Sequence, residues 1–104
     1  MTGKDSERVF REGETVGSSF FFVRFLKNGI GHYRLAVLVP VKVSKNSTVR
    51  NRFRRLIAEI FKAAAPCEQP LDIVFVAAPS IVGRPPAEIK RSLVGTINRV
   101  FSQP

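Results

Sequence analysis

The chain has 104 residues, 44% of them hydrophobic, and carries 17 lysines and arginines against 8 acids, for a formal charge of +9. That size predicts a single domain, residues 1–104, able to bury roughly 65% of its unfolded surface without a metal or disulfide, and the single Cys67 has no partner for an internal bridge and suits a reducing cytoplasm. The N-terminal MTGKDSERVF lacks the apolar core of a signal peptide, and no apolar run approaches the roughly 18 residues of a membrane span, so a soluble, cytoplasmic binder of a polyanion is expected rather than a membrane protein.

In chain order, a short helix is expected from near Lys4 to Gly13, with Val9 and Phe10 on its apolar side. Phe20 to Leu26 (FFFVRFL) is aromatic and reads as a strand, followed by the turn Lys27-Asn28-Gly29. Alternate residues of a strand share a face. Phe20, Phe22 and Arg24 therefore lie on one side and Phe21, Val23 and Phe25 on the other. An arginine is rarely buried unpaired, so Phe20, Phe22 and Arg24 are assigned to an open face. A second strand runs from about Tyr33 to Val39, with Tyr33, Leu35, Val37 and Val39 toward a core and Arg34, Ala36 and Leu38 toward a partly wet side. Pro40 weakens that strand or confines it to an edge at that point.

Val49 to Phe61 (VRNRFRRLIAEIF) places four arginines within six residues on a helical apolar period. At about 100° per residue, Val49, Phe53, Leu56, Ile57, Ile60, Phe61 and Ala64 fall within an arc of roughly 140°. Asn51, Arg52, Arg55, Glu59 and Lys62 lie opposite. Arg50 and Arg54 sit at an edge of the arc, where their stems cover the core and their guanidinium groups reach out. Asn46, Ser47 or Thr48 can supply the N-cap oxygen, and Pro66 stops the run.

From Thr15 to Ala58 there is no acid, while Arg24, Lys27, Arg34, Lys42, Lys45 and the four helix arginines lie in that window. A helix stabilised by its own ion pairs would interleave carboxylates at i+4. The bare charge is suited to a partner. Because arginine forks grip phosphate oxygens bidentately, nucleic acid is favoured over a generic acidic surface.

Leu71 to Ala78 (LDIVFVAA) is nearly all apolar, as in a central strand covered on both faces. Pro79, Gly83, Pro85 and Pro86 punctuate a loop, and a last helix is expected from Ala87 to Phe101, with Pro86 at its first position. The fold class is α+β, in the order α-β-β-β-α-β-α, with about four strands in a mostly antiparallel sheet packed by helices. If the strands on either side of the basic helix share a sheet, they run parallel.

The chain offers neither clustered carboxylates for metals nor a histidine pair for acid–base work. His32 is the only histidine and sits beside a glycine turn; Asp72 lies at a strand start and Glu88 in the first turn of the last helix, where the dipole favours it. No catalytic residue and no metal site is assigned to the polypeptide. Phe10, Phe20, Phe22 and Tyr33 are the aromatic candidates for stacking single-stranded bases.

At RNRFRRL, preceded by the Lys42 loop and followed by an apolar helical tail, the chain resembles the protein subunit of bacterial ribonuclease P. That family's hallmark is an RNR-[hydrophobic]-[KR]-R-L helix. Arg50, Asn51, Arg52, Phe53, Arg54, Arg55 and Leu56 match it position by position, and ERVFREG (Glu7 to Gly13), the strand pair, DIVFVA and the closing helix follow in the family's order. The resemblance implies a protein cofactor whose partners are the ribonuclease P RNA and the 5′ leader of precursor tRNA. It also implies that no cofactor is held strongly by the protein, that Mg2+ sits on the catalytic RNA, and that no small molecule is the substrate. It assigns Arg50, Asn51, Arg52, Arg54 and Arg55 on the helix, with Lys42 and Lys45 in the loop before it, to RNA binding. Phe10, Phe20, Phe22 and Arg24 fall to a leader cleft between first helix and sheet. It further implies a left-handed strand, helix, strand crossover, against the general right-handed rule. The chain departs from the family at Ser6, which follows Asp5 where phenylalanine is common, and at Val41, where a lysine often stands. A ribosomal or translation-associated RNA-binding protein with a similar small fold is the alternative. A binder of anionic membranes would need bulky apolar residues facing lipid, and those on the basic helix are committed to the core.

Overall fold

The protein is described by a computed structural model covering residues 3–65 and 69–102, so Pro66 and Cys67 lie outside the described residues. The elements are α1 (Gly3–Glu12), β1 (Glu14–Gly17), β2 (Phe21–Lys27), β3 (Arg34–Leu38), α2 (Ser47–Ala64), β4 (Leu71–Ala77), a 3-10 turn (Pro79–Ile81) and α3 (Pro86–Phe101). This is the α-β-β-β-α-β-α order expected from the sequence. The short β1 pairs with β2 from Glu14 opposite Phe25 to Gly17 opposite Phe22.

The sheet order is β1-β2-β4-β3, with β4 antiparallel to β2 and parallel to β3. The two strands on either side of the Asn28 turn are therefore not neighbours; β4 lies between them. Two physical causes act together. The connection from Asn28 to Tyr33 is longer than the two-residue loops that close tight hairpins, and the most apolar strand gains most from an interior position paired on both edges. Asn28 fixes the connection: its Oδ1 accepts from the Ile30 amide at 3.0 Å, and its Nδ2 donates to the His32 carbonyl at 3.1 Å and to Asp72 Oδ1 at 2.8 Å. β3 is left at the edge, as Pro40 suggests.

Strand register sorts the side chains into two faces. On one, Phe21, Val23 and Phe25 join Ile73 and Phe75 and meet Ile57, Ile60 and Phe61 of α2 and Ile89, Leu93 and Ile97 of α3. The rings of Phe21 and Phe75 stack with centroids 5.1 Å apart. The opposite face has three rows across β2, β4 and β3: Leu26–Asp72–Arg34, Arg24–Val74–Ala36 and Phe22–Val76–Leu38. α1 lies over the first two, burying Val9 and Val74 completely. Asp5 anchors one end of α1, 3.5 Å from Arg34, and the other end closes tightly on β2. A Cβ on Gly13 would stand 2.7 Å from the Phe25 carbonyl oxygen, so only glycine allows that approach.

Candidate nucleic-acid interface

The basic helix α2 starts where Asn46, in extended conformation, accepts the Thr48 amide on its side-chain oxygen at 2.9 Å. Ile57, Ile60 and Phe61 are buried in the core, and Asn51, Arg52 and Arg55 are exposed on the other side. Arg50 and Arg54 are half-buried, consistent with their position at the edge of the apolar arc. Arg50 donates to the Ser44 carbonyl at 2.8 Å, tying the helix to the loop before it, and Arg54 donates to Asn51 Oδ1 at 2.6 Å. In that loop Val39 and Val43 are buried while Lys42 and Lys45 project outward. Val49, Phe53, Leu56 and Ala64 depart from the expected pattern: they are half-buried, and the first three line an α2–α3 seam that is not closed over them.

Among the described residues, ion pairs are formed by Arg8, Arg11, Arg34 and Arg84, and none reaches Lys42, Lys45 or the four arginines of α2. No acid among the described residues neutralises the charge of this surface. Arg34, from the same acid-free stretch, is different: it grips Asp72 with Nε at 2.8 Å and Nη2 at 2.7 Å. That fork, with Asn28, holds the Asp72 carboxyl below the usual aspartate range despite burial and the nearby Asp5. The Arg34 guanidinium is correspondingly raised, first by its hydrogen bond to Asp72.

The second part of the surface is the row that α1 leaves uncovered. Phe22 is 36% exposed and Leu38 41%, with half-buried Val76 between them and Phe10, 38% exposed, projecting from α1. At 4.7–4.9 Å between strands, the row forms an apolar strip about 10 Å wide. Leu38 is the last residue of β3, and the chain passes directly from it through Pro40, Lys42 and Lys45 into α2. The loop that carries Lys42 and Lys45 thus links the end of the strip to the start of α2.

Two cleft assignments are corrected by the structure. Phe20 precedes β2, so strand alternation does not extend to it; it is 4% exposed, lies in the main core and meets Phe21 edge-on at 5.2 Å. Arg24 shares a face with Phe22, but its donors are turned to α1: Nε to the Val9 carbonyl at 3.4 Å, Nη2 to the Phe10 and Gly13 carbonyls, and Nη1 to Thr15 Oγ1 at 2.7 Å. Tyr33 packs edge-on against Phe101 with centroids 6.0 Å apart and is not part of the strip. Leu38 and Val76 are the residues that sequence reasoning missed. The alternation in β3 places Leu38 away from the core, whereas the continuous apolar run of β4 gives no sign of which face Val76 takes.

Among the described residues, no three or more His, Cys, Asp or Glu side chains gather where a metal ion could be held, and no helix is long and apolar enough to cross a membrane. His32 is exposed in the turn, its Nδ1 3.1 Å from the Tyr33 carbonyl oxygen.

The model of the ribonuclease P family matches residues 2–100. The chain belongs to the ribonuclease P protein family. The ribonuclease P protein component of Thermotoga petrophila is 39% identical over 59 residues, which span 57% of this chain and 50% of that protein. The chain thus covers about half the length of that relative. The component from an Exiguobacterium species is 31% identical over 96 residues, covering 92% of this chain and 83% of the relative. The solved ribonuclease P protein of Staphylococcus aureus superposes with a TM-score of 0.83 at 25% identity, covering 98% of this chain and 93% of that one. Membership in the ribonuclease P family agrees with the motif at Arg50 to Leu56 and with the α+β fold on which that motif is carried.

Proposed function

We propose that the chain is the protein cofactor of a ribonuclease P ribonucleoprotein, binding the catalytic RNA and the 5′ leader of precursor tRNA and assisting endonucleolytic removal of that leader. The observation that carries this reading is a pair of surfaces joined by the Lys42–Lys45 loop: an arginine side on α2 that meets no acid among the described residues, and an open row of Phe22, Val76 and Leu38 beside Phe10. Folded RNA meets the first through its phosphates, releasing condensed counterions. A single strand suits the second, where unpaired bases rest on aromatic and aliphatic side chains.

In this reading the polypeptide is a non-catalytic subunit of an endoribonuclease. The RNA carries the hydrolysis and the Mg2+ ions, and the protein's positive charge lessens the Mg2+ needed to hold substrate and RNA together. The partners are the ribonuclease P RNA and precursor tRNA in a bacterial cytoplasm, with no membrane and no small-molecule substrate.

Adding the protein to a bacterial ribonuclease P RNA at low magnesium tests the proposal. Restored leader cleavage supports it, and no effect favours a ribosomal or translation-associated RNA-binding protein. The protein free of RNA is expected to leave precursor tRNA intact.

A further inference from the structure

On the core side of α2, where it meets the start of α3, Val49, Arg52, Phe53, Leu56, Arg84 and Ile89 line a groove of about 260 Å3. Its floor and walls are aliphatic and aromatic, with Phe53 half-buried along one side. Two guanidinium groups stand at its edge, and they differ. Arg52 is exposed and makes no ion pair among the described residues. Arg84 is fixed: Nη1 donates to Glu88 Oε1 at 2.7 Å, and its guanidinium carbon lies 4.8 Å from the centroid of the Phe20 ring. The charge of Glu88, in the first turn of α3, is thereby taken up by Arg84, and among the described residues Arg52 is left without an acid partner.

We infer that this groove receives one unpaired nucleobase of a bound RNA, whose sugar-phosphate chain runs along Arg52 and Arg55. The inference rests on the RNA-binding reading of α2 and adds to it a second wall, supplied by α3 and the loop before it. The volume lies under the roughly 300–1,000 Å3 of pockets for drug-sized ligands, so the groove takes a single ring system rather than a larger cofactor. A base has two apolar faces to lay against Phe53 and Leu56, and guanidinium planes also stack on bases. An apolar side chain of a protein partner would fill the same space but leave Arg52 without a counter-charge. A nucleotide supplies the ring and the phosphate together.

The test uses the full chain with a bacterial ribonuclease P RNA as probe, measuring affinity over a range of salt concentrations. Val49→Trp fills the groove from its rim without removing a charge. A variant that melts like the parent is expected to bind about 5- to 100-fold more weakly with the salt slope unchanged, since the arginines still meet their phosphates. Unchanged affinity, or a loss accompanied by a shallower slope, overturns the base slot while leaving α2 as an RNA-binding helix. If Val49→Trp melts early, Phe53→Leu decides instead: about 5-fold weaker binding at unchanged slope supports the slot, and parental affinity overturns it. Should Arg52→Ala with Arg55→Ala change neither affinity nor slope, the RNA-binding reading of α2 itself fails, and the slot with it.

Discussion

Arg24 donates from Nη2 to the carbonyl of Gly13 at 2.9 Å, joining the middle of β2 to the residue that follows α1. Together with its bonds to the Val9 and Phe10 carbonyls, this makes Arg24 the cap of the α1 C-terminus, where helix carbonyls otherwise lack partners and a positive charge complements the dipole. Arg24→Ala is therefore expected to cost about 2–3 kcal/mol and to loosen α1 first. Urea melts and amide exchange across α1 measure both effects. An unchanged melt combined with weaker RNA binding would make Arg24 a phosphate ligand instead.

The two phenylalanines of α2 rank differently because one is sealed and the other faces the seam. Phe61→Ala should cost about 3–5 kcal/mol, the usual range for a fully buried phenylalanine. Phe53→Ala, at a half-buried site, should cost about 1–2 kcal/mol. Thermal melts giving the reverse order would mean that the rotation of α2 about its axis is wrongly assigned.

Much of this fold is legible from periodicity. The faces of α2 follow from its 3.6-residue repeat, and the core side of β2 follows from Phe21, Val23 and Phe25. What depends on tertiary pairing is not. The apolar run of β4 marks it as interior, but nothing local says that it separates β2 from β3, because the Asn28 segment has the composition of a hairpin turn and Asn28 instead reaches Asp72 across the sheet. Extending the strand period one residue ahead of the true start at Phe21 misplaces Phe20. The acid-free window likewise overstates the free charge, since Arg34 finds Asp72 and Asp5 at long range and Arg24 finds backbone carbonyls. Arg52 and Arg55 remain exposed because the helix holds them on the far side from the core, while Arg50 and Arg54, at the edge of the apolar arc, are half-buried and bonded to Ser44 and Asn51.

Acid should weaken the fold partly through Asp72. Its carboxyl, held by Arg34 and Asn28, has a folded pKa below the unfolded value of about 3.9. The stability it contributes is therefore fully present above that unfolded value and is lost as pH falls through the lower folded one. The raised Arg34 pKa adds nothing in this window, because the guanidinium stays protonated throughout. Asp72→Asn should cost about 2 kcal/mol near pH 7, less than a wholly buried pair because Arg34 is partly exposed. The gap between parent and variant should narrow once pH drops below about 4. A gap that stayed constant down to about pH 2 would remove Asp72 from the acid-labile groups.

The two surfaces should separate in binding experiments. Phe22→Ala trims a side chain already 36% exposed, so its stability cost is small, yet it removes a ring from the open row. The holoenzyme carrying it should lose about 5- to 100-fold in affinity for precursor tRNA and little for mature tRNA, which has no leader to lay there. Arg52→Ala with Arg55→Ala should instead weaken binding to the RNA subunit and lower the magnitude of the salt slope by about 2, one unit for each phosphate no longer neutralised. The full interface, neutralising about four to six phosphates, is expected to show a log–log slope near −3 to −5. Combining the two sets of changes should give additive losses, since they touch different parts of the RNA assembly and share no partner. Strong non-additivity would mean that one strand crosses both surfaces, so that the leader itself, rather than the catalytic RNA, lies along the arginines of α2.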